Sequence, residues 1–321
     1  MHADEERVLE RLTLHVLDAS GAADPAVREA EILITGISTQ TVSGREIADA
    51  MPRLRWIQSM TAGVNDVVSA SLLERDVLVT STAGAYALAI AEYAFAAMVM
   101  LTRGLPELVV AKERRAWAED HPLGGELAGK CVGIIGFGGI GTALARHCTA
   151  AGMSVWALRR RAAAPAGSPP IERLLTPAEL PHLLEASDFV VVAASLNPSS
   201  LGLIGAAELE RMKPGAFLVN IGRGELVDET ALVGALGSGR IAGAMVDVTA
   251  VEPLPGDNPL WALPNLWITP HMAGGTRESR TRALTLLLEN IGHYLDGHAA
   301  AMRNIVDLRH ELGLIPRGER C

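Results

Sequence analysis

The sequence predicts an α/β protein with two domains, each built around a parallel sheet. Short apolar runs alternate with segments of helical periodicity along most of the chain. Near mid-chain the glycine-rich turn Gly136-Phe137-Gly138-Gly139-Ile140-Gly141 directly follows the apolar run 131–135. A length of 321 residues is sufficient for two domains with filled hydrophobic cores.

The first α/β unit precedes the glycine-rich turn. Its predicted strands are 12–17, 31–35, 54–59 and 77–80, and its clearest helices are 43–50 and 69–75. The apolar stretch 85–101 follows. It contains Glu92 and two tyrosines and is shorter than a comfortable membrane span, so we expect a buried helix at a domain or subunit junction.

The second unit starts at strand 131–135, and a helix over 142–148 follows the glycine-rich turn. Further strands are predicted at 153–158, 189–193, 216–221, 243–248 and 266–269. Helices are predicted at 228–237 and 276–294, and the segment 161–170, rich in Ala, Pro and Gly, predicts a surface loop.

The order of strand, glycine turn and helix suits the pyrophosphate of a dinucleotide. Gly136 permits the tight turn, Gly138 lets phosphate oxygens approach the backbone, and Gly141 lets helix and strand pack closely. The first helical amides, at Gly139 and Ile140, add hydrogen-bond donors at the positive end of the helix dipole. These five residues are therefore predicted to bind the cofactor.

The residues after strand 153–158 bear on the choice of cofactor. NAD-binding units usually place Asp or Glu there to bind the ribose 2'-hydroxyl, whereas this strand ends at Leu158 and continues as Arg159-Arg160-Arg161. Guanidinium groups bind a 2'-phosphate that a carboxylate would repel. We expect NADP(H) to be preferred, through Arg159 and Arg160, with NAD(H) still possible. The alternative is a solvated basic run, since nearly all positive charge in this chain comes from Arg.

Composition excludes several other classes of protein. A net charge of -9 argues against nucleic acid as a partner. Three widely spaced residues, Cys131, Cys148 and Cys321, fit neither a disulfide framework nor a metal cluster and favour a reducing compartment. The acidic amino terminus lacks the order of a signal peptide. We therefore expect a cytoplasmic protein without metal or membrane association.

Three polar residues each follow a predicted strand: Arg223 follows 216–221, Glu252 follows 243–248, and His271 follows 266–269. Ligands of open α/β sheets bind at the carboxyl ends of the strands. The spacing therefore places a guanidinium, a carboxylate and an imidazole in the same crevice as the cofactor.

The segments Asn220-Ile221-Gly222-Arg223-Gly224 and Thr269-Pro270-His271, together with the glycine motif, closely resemble the D-isomer-specific 2-hydroxyacid dehydrogenase family. The resemblance covers nearly the whole chain. It implies two Rossmann-like or flavodoxin-like domains, with a doubly wound cofactor domain (101–284) inserted into a substrate domain (1–100 plus 285–321). It also implies a homodimer in which the region 85–101 helps to join domains and subunits.

Carried over residue by residue, the resemblance makes His271 the acid–base residue that protonates the carbonyl oxygen as hydride arrives. Imidazole suits this role because it exchanges protons near neutral pH. Glu252 would hydrogen-bond the imidazole and favour its charged form. Arg223 would bind the carboxylate and carbonyl oxygens of the substrate.

The resemblance also implies contacts beyond these three residues. The backbone amides of Ala62 and Gly63 would bind the substrate carboxylate, Asp247 would hold the nicotinamide carboxamide, and Ile221 would line the cofactor site. An ordinary turn at 62–63 and a turn-capping role for Asp247 are the alternatives.

We thus expect a reductase that converts a small 2-keto acid, glyoxylate or hydroxypyruvate, to the D-2-hydroxy acid with NADPH. One alternative is an NAD-dependent dehydrogenase of another 2-hydroxy acid or of phosphite. Another is a non-catalytic, dinucleotide-sensing scaffold of the corepressor type, which shares the fold.

Overall fold

Two units make up the computed structural model, which describes residues 9–16, 25–36, 44–64, 67–160 and 163–314. The first unit comprises Met1–Tyr86 and Thr276–Cys321, and the second comprises Ala87–Gly275. The second unit is therefore an insertion in the chain of the first.

The first unit contains a three-stranded parallel sheet in the order β1 (Ile32–Thr35), β2 (Trp56–Ser59), β3 (Leu78–Thr80). The predicted strand 12–17 is wrong for residues 12–16, which are irregular, and Leu17 lies outside the described residues. Leu14 and Val16 are 64% and 95% exposed, so the apolar run there does not mark a buried strand. The helices of this unit are Pro25–Glu29, Gly44–Asp49, Ala70–Glu74, Arg277–Leu295 and Leu308–Glu311.

The second unit contains a seven-stranded parallel sheet in the order β6-β5-β4-β7-β8-β9-β10, as predicted for a doubly wound fold. Its strands are β4 (Cys131–Ile135), β5 (Ser154–Leu158), β6 (Arg173–Leu175), β7 (Phe189–Val192), β8 (Phe217–Asn220), β9 (Gly243–Val246) and β10 (Leu266–Ile268). Its helices are Ala87–Thr102, Leu105–Glu113, Gly139–Ala150, Leu180–Ala186, Ala206–Arg211 and Glu229–Gly237.

Both faces of this sheet are buried, because side chains alternate between two separate apolar clusters. Val190 and Leu218 belong to one cluster, whereas their neighbours Val191 and Val219 belong to the other. Helices cover each face, as a parallel sheet requires. The central strands β7 and β8 therefore read as nearly continuous apolar runs, FVVV and FLVN.

Two long helices fix the boundaries of the units. Helix Ala87–Thr102 packs on helix Gly139–Ala150 and buries Ala91, Ala94 and Met98 in the second unit. Helix Arg277–Leu295 belongs wholly to the first unit, where the Nδ2 of Asn290 donates to the Oε1 of Gln58 at 3.0 Å. The predicted boundaries, after residues 100 and 284, cut through these helices, whereas the observed ones precede each helix.

Helices Ala87–Thr102 and Leu105–Glu113 follow one another, separated by two residues. Within the described ranges no single helix has the length and composition of a membrane span, and these two meet that test only together, across a bend of 72°. Helix Leu105–Glu113 has no fully buried residue, although most of its residues are apolar. Its apolar side chains are therefore left at the surface of the unit.

Candidate active site

The glycine-rich turn follows β4, which lies between β5 and β7 where the strand order reverses. Gly136 has a φ of +102°, and a Cβ there would lie 2.6 Å from the backbone of Ala193. A Cβ on Gly141 would lie 2.4 Å from the oxygen of Gly136, whereas one on Gly138 would meet nothing within 4 Å. Backbone packing thus requires the first and third glycines, and the space beside the second is open.

Helix Gly139–Ala150 begins directly at this open space. Its N-cap is Gly138, which offers no side-chain cap. The amides of Gly139, Ile140 and Gly141 precede the first intrahelical hydrogen bond, so they have no acceptor within the helix. An uncapped helix start with open space before it fits a dinucleotide pyrophosphate.

Arg159 and Arg160 lie next to the glycine-rich turn. The carbonyl oxygen of Leu158, at the end of β5, accepts hydrogen bonds from the amides of Gly136 and Phe137 at 3.0 and 3.2 Å. The Arg159 guanidinium donates through Nη1 to the carbonyl of Ala163 at 2.6 Å, and Arg160 is exposed. The third residue of the basic run, Arg161, lies outside the described residues.

Arg223, Glu252 and His271 lie at one edge of the sheet, because they follow three consecutive parallel strands. Asn220 of β8 pairs with Val246 of β9, which pairs with Ile268 of β10. The residues beyond those pairs therefore leave the sheet side by side, at the same edge as the glycine-rich turn.

The structure brings His271 and Glu252 into direct contact. His271 Nδ1 lies 2.8 Å from Glu252 Oε2, and the amide of Thr249 donates to Glu252 Oε1 at 3.0 Å. An ionised carboxylate only accepts hydrogen bonds, so the pairing assigns the proton to Nδ1. Nε2, which makes no hydrogen bond within the described part of the chain, is left for a ligand.

The backbone of His271 is strained, and Asp247 holds it in place. His271 has a φ of 52°, a left-handed conformation that is uncommon for residues other than glycine. The buried Asp247 carboxylate accepts from the Thr269 hydroxyl at 2.7 Å and from the amides of Met272 and Ala273 at 2.9 Å each. These contacts lie on both sides of His271, so Asp247 braces the backbone there. Of the two roles predicted for Asp247, only the turn-capping alternative resembles this one. Its predicted contact to nicotinamide stays a prediction.

Arg223 has no contact with Glu252 or His271 among the hydrogen bonds and ion pairs of the described residues. Its Nη1 donates to the carbonyl of Gly222 at 2.7 Å, and its own carbonyl accepts from Asn220 Nδ2 at 3.0 Å. The half-buried guanidinium has no carboxylate partner in the described ranges. It is thus available to an anionic ligand. Ile221, also predicted to bind the cofactor, lies two residues earlier in the chain and is buried, only 5% exposed.

A second contact, not predicted from the sequence, joins the loop of Arg223 to the loop of Glu252. A Cβ on Gly224 would lie 1.9 Å from the carbonyl carbon of Thr249 and 2.2 Å from the nitrogen of Ala250. The amide of Ala250 also donates to Glu229 Oε1 at 2.7 Å. The one sign of this contact in the sequence was Gly224, the second glycine of Gly222-Arg223-Gly224. Close packing, rather than a turn, requires glycine at that position.

Ala62 and Gly63 lie in the turn after β2, in the first unit. Ala62 is exposed and Gly63 half-buried, and neither amide has an acceptor within the described residues. No group of three or more His, Cys, Asp or Glu residues in the described ranges is placed to hold a metal ion.

Comparison with known proteins identifies the family. The profile of the D-isomer specific 2-hydroxyacid dehydrogenase, NAD binding domain, matches residues 95–273. The chain is 34% identical over 255 residues to a glyoxylate reductase of Korarchaeum cryptofilum, covering 77% of this chain and 74% of that protein. It is 32% identical over 272 residues to a D-3-phosphoglycerate dehydrogenase of Archaeoglobus fulgidus, covering 85% of this chain and 51% of that protein. The chain thus spans about half the length of the latter relative.

Solved structures match over nearly the whole chain. A Thermus thermophilus protein is 32% identical, with a TM-score of 0.79 over 95% of this chain and 97% of that one. A D-isomer specific 2-hydroxyacid dehydrogenase of Xanthobacter autotrophicus, in complex with NADPH, is 28% identical, with a TM-score of 0.77 over 96% and 94% of the two chains. The chain therefore belongs to the D-isomer-specific 2-hydroxyacid dehydrogenase family, whose members are NAD(P)-dependent oxidoreductases that act on CH–OH donors.

Proposed function

We propose that this protein reduces a small 2-keto acid, glyoxylate or hydroxypyruvate, to the D-2-hydroxy acid with NADPH as the preferred reductant. The observation that carries the proposal is the His271–Glu252 pair, 2.8 Å apart at the sheet edge that also carries the glycine-rich turn. The glyoxylate reductase among its relatives supports this class of substrate. In this proposal the unit Ala87–Gly275 binds the cofactor and the other unit contributes substrate contacts.

His271 and Glu252 supply the proton in the proposed reaction. A bound reduced nicotinamide supplies the hydride that adds to the carbonyl carbon. His271, protonated on both nitrogens, gives the Nε2 proton to the carbonyl oxygen, so that a hydroxyl group forms and neutral imidazole remains. The Glu252 carboxylate stabilises the charged imidazole beforehand and keeps the remaining proton on Nδ1 afterwards.

Arg223 and the turn at Ala62 and Gly63 bind the substrate in this proposal. The Arg223 guanidinium, which has no carboxylate partner in the described ranges, binds the carboxylate and polarises the carbonyl bond. The amides of Ala62 and Gly63 donate to the same carboxylate group. Two successive amides without acceptors form a recurrent anion-binding arrangement.

The cofactor contacts of the proposal are the glycine-rich turn and the two arginines beside it. Gly136, Gly138, Gly139, Ile140 and Gly141 cradle the pyrophosphate. Arg159 and Arg160 bind the 2'-phosphate, and the NADPH complex of the Xanthobacter relative supports this preference. Ile221 and Asp247 border the nicotinamide.

The experiment that tests the function is an absorbance assay of NADPH and NADH oxidation with a panel of 2-keto acids. We expect the highest kcat/KM for glyoxylate or hydroxypyruvate with NADPH. The His271→Ala variant should lower kcat by about 10²-fold or more, with near-normal NADPH affinity, because it removes the general acid. The exposed His182→Ala variant is the matched control and should behave as the wild type. Silence with every acid would exclude the proposed reduction.

The second candidate is an NAD-dependent dehydrogenase of another 2-hydroxy acid. The similarity to a D-3-phosphoglycerate dehydrogenase favours it. It predicts NAD reduction with 3-phosphoglycerate or a further 2-hydroxy acid and no preference for NADPH. The same assay run in the oxidative direction separates the two candidates.

We also propose that the protein is a homodimer. Helix Leu105–Glu113 buries none of its residues, and Leu105, Val109 and Val110 are 40%, 48% and 43% exposed. Leu105 and Val109 are four residues apart and share one face of the helix. A contiguous apolar face of this kind is typical of an interface, and a second copy of the chain is the proposed occupant.

A cytoplasmic location completes the proposal, and the state of the thiols supports it. Cys131 and Cys148 are both free. Burial raises the pKa of the Cys148 thiol to about 12 and raises that of Cys131 as well. Such thiols stay protonated and unreactive at neutral pH, in keeping with packing roles in a reducing compartment.

A further inference from the structure

The turn after β2 is held by hydroxyl groups. Thr61 Oγ1 donates to the carbonyl of Gly63 at 2.6 Å, and Ser59 Oγ lies 2.9 Å from Thr61 Oγ1. Because Thr61 has a single hydroxyl proton, which goes to the carbonyl, Ser59 is the donor of the second bond. Ser59 Oγ also lies 3.4 Å from the Gly63 carbonyl, a much longer contact than that of Thr61. The amide of Thr61 in turn donates to Ser59 Oγ at 3.3 Å. Two short polar side chains thus form one directed chain of hydrogen bonds ending at Gly63.

Other bonds occupy the neighbouring backbone carbonyls of the turn, at Met60 and Thr61. The Met60 carbonyl accepts from the Tyr86 hydroxyl at 2.7 Å, and the Thr61 carbonyl accepts from the amide of Thr82 at 3.1 Å. The amides of Ala62 and Gly63 remain without an acceptor in the described residues. These two amides are therefore available as hydrogen-bond donors to a carboxylate.

A buried network fixes the strand end from which the turn departs. Gln58, fully buried, donates through Nε2 to the carbonyl of Ser59 at 2.8 Å and accepts at Oε1 from the Thr80 hydroxyl at 2.8 Å and from Asn290 Nδ2 at 3.0 Å. The Thr80 hydroxyl accepts from Trp56 Nε1 at 2.8 Å. Satisfied buried networks of this kind rigidify the backbone to which they bond.

We infer that Thr61 is a positioning residue whose hydroxyl presets the Ala62 and Gly63 amides for the substrate carboxylate. The inference rests on the proposed function, in which those amides bind that group. The Gly63 amide belongs to the peptide that links Ala62 to Gly63. Without the bond to the Gly63 carbonyl, the torsions on both sides of that peptide are less restricted, and the Gly63 amide loses its fixed direction. A ligand must then order the turn as it binds, which weakens binding. Thr61 itself touches neither cofactor nor reacting atoms in this scheme.

The test compares Thr61→Val, which keeps the shape but removes the hydroxyl, with Thr61→Ser, which keeps the hydroxyl. We expect Thr61→Val to raise the KM for glyoxylate about tenfold, the effect of about one net hydrogen bond, with kcat and the KM for NADPH unchanged. Thr61→Ser should stay within about twofold of the wild type. Thr281→Val, in an exposed helical position, is the matched control and should change nothing.

A second measurement separates this inference from the proposed function. Oxamate, which carries a carboxylate beside a carbonyl, is titrated by calorimetry into the enzyme with NADPH present. Weaker oxamate binding by Thr61→Val, with Thr61→Ser normal, supports the inference even if no 2-keto acid is turned over. Turnover by the wild type together with an unchanged Thr61→Val variant overturns the inference and leaves the function standing. An equal loss in Thr61→Ser and Thr61→Val also overturns it, because the hydroxyl would then be irrelevant.

Discussion

Asp247 explains how His271 keeps a costly backbone conformation. A left-handed φ at a residue other than glycine costs about 1–3 kcal/mol. The Asp247 carboxylate accepts three hydrogen bonds from the segment around His271, and hydrogen bonds to charged groups contribute about 1.5–3 kcal/mol each. The network therefore outweighs the strain and holds the imidazole where Glu252 reaches it.

Replacing Asp247 with asparagine tests this account. The one oxygen left on the new side chain could still accept, but the amide of Ala273 would face an NH2 group and lose its acceptor. We expect the free energy of unfolding to fall by about 1–3 kcal/mol, and kcat to fall about tenfold to hundredfold as His271 shifts. Urea denaturation and steady-state kinetics measure the two effects. Asp228→Asn is the control, because asparagine serves equally well as an N-cap in place of Asp228. A normal kcat in Asp247→Asn would contradict the bracing role.

Arg159 and Arg160, which follow β5, are expected to affect the KM for NADPH but not the KM for NADH. Arg160→Ala should raise the KM for NADPH about tenfold to a hundredfold, because a charge-assisted bond to the 2'-phosphate is lost. The KM for NADH should change less than about twofold. Arg211→Ala, which removes an exposed ion pair with Glu185, is the control. Equal effects on both cofactors would contradict the predicted preference.

At the same scale, sequence reasoning selected candidate residues for the site but not all of the contacts that support them. Sequence reasoning could select Arg223, Glu252 and His271 because the sequence shows both their chemistry and their positions after predicted strands. The tie between Ala250 and Glu229 was not predicted, because loops distant in sequence form it. For Asp247, only the turn-capping alternative came close to the observed bracing.

Among the elements, the loops that follow β8 and β9 act as one unit. Gly224 packs so closely on Thr249 and Ala250 that neither loop can move alone. Because the amide of Thr249 bonds Glu252, the position of the Glu252 carboxylate depends on this contact. Gly224, which adjoins the predicted substrate-binding residue Arg223, thus helps to position the loop that carries Glu252.

Gly224→Ala tests that dependence. The added methyl would lie 1.9 Å from the carbonyl carbon of Thr249, so the loop of Glu252 must shift. We expect kcat to fall about tenfold to hundredfold with NADPH affinity nearly unchanged. Gly234→Ala is the matched control: nothing lies within 4 Å of its Cβ, and it lies in a helix where Ala stabilises by about 0.5–1 kcal/mol. Equal activity in both variants would show that the contact does not position Glu252.

Strand prediction succeeded where burial on both faces produced unbroken apolar runs, as in β7 and β8. It missed β6, which has only three residues and includes the exposed Arg173, whose guanidinium lies 4.9 Å from the Trp156 ring centroid. It wrongly assigned a strand to residues 12–16, since a short apolar run alone does not supply a neighbouring strand.

For the molecule as a whole, the limits of its units could not be predicted from composition. Helices Ala87–Thr102 and Arg277–Leu295 are each continuous, and only their packing assigns them to the second and first unit. The predicted limits after residues 100 and 284 ignored this, because apolar helical periodicity shows that a face is buried but not against which sheet.

The last prediction concerns the assembly. Leu105, Val109 and Val110 are partly exposed, and Trp117 and Leu123 are 89% and 102% exposed in the same region of the chain. A stable dimer buries about 800 Å² on each partner, and apolar area contributes about 25 cal/mol per Å². We therefore expect the wild type to sediment at twice the mass of one chain and Val109→Asp to sediment as a monomer, since the charge would be buried unpaired. Leu314→Asp, at a site 62% exposed in the other unit, is the control and should remain dimeric. A wild type that sediments as a monomer at micromolar concentration would refute the proposed interface.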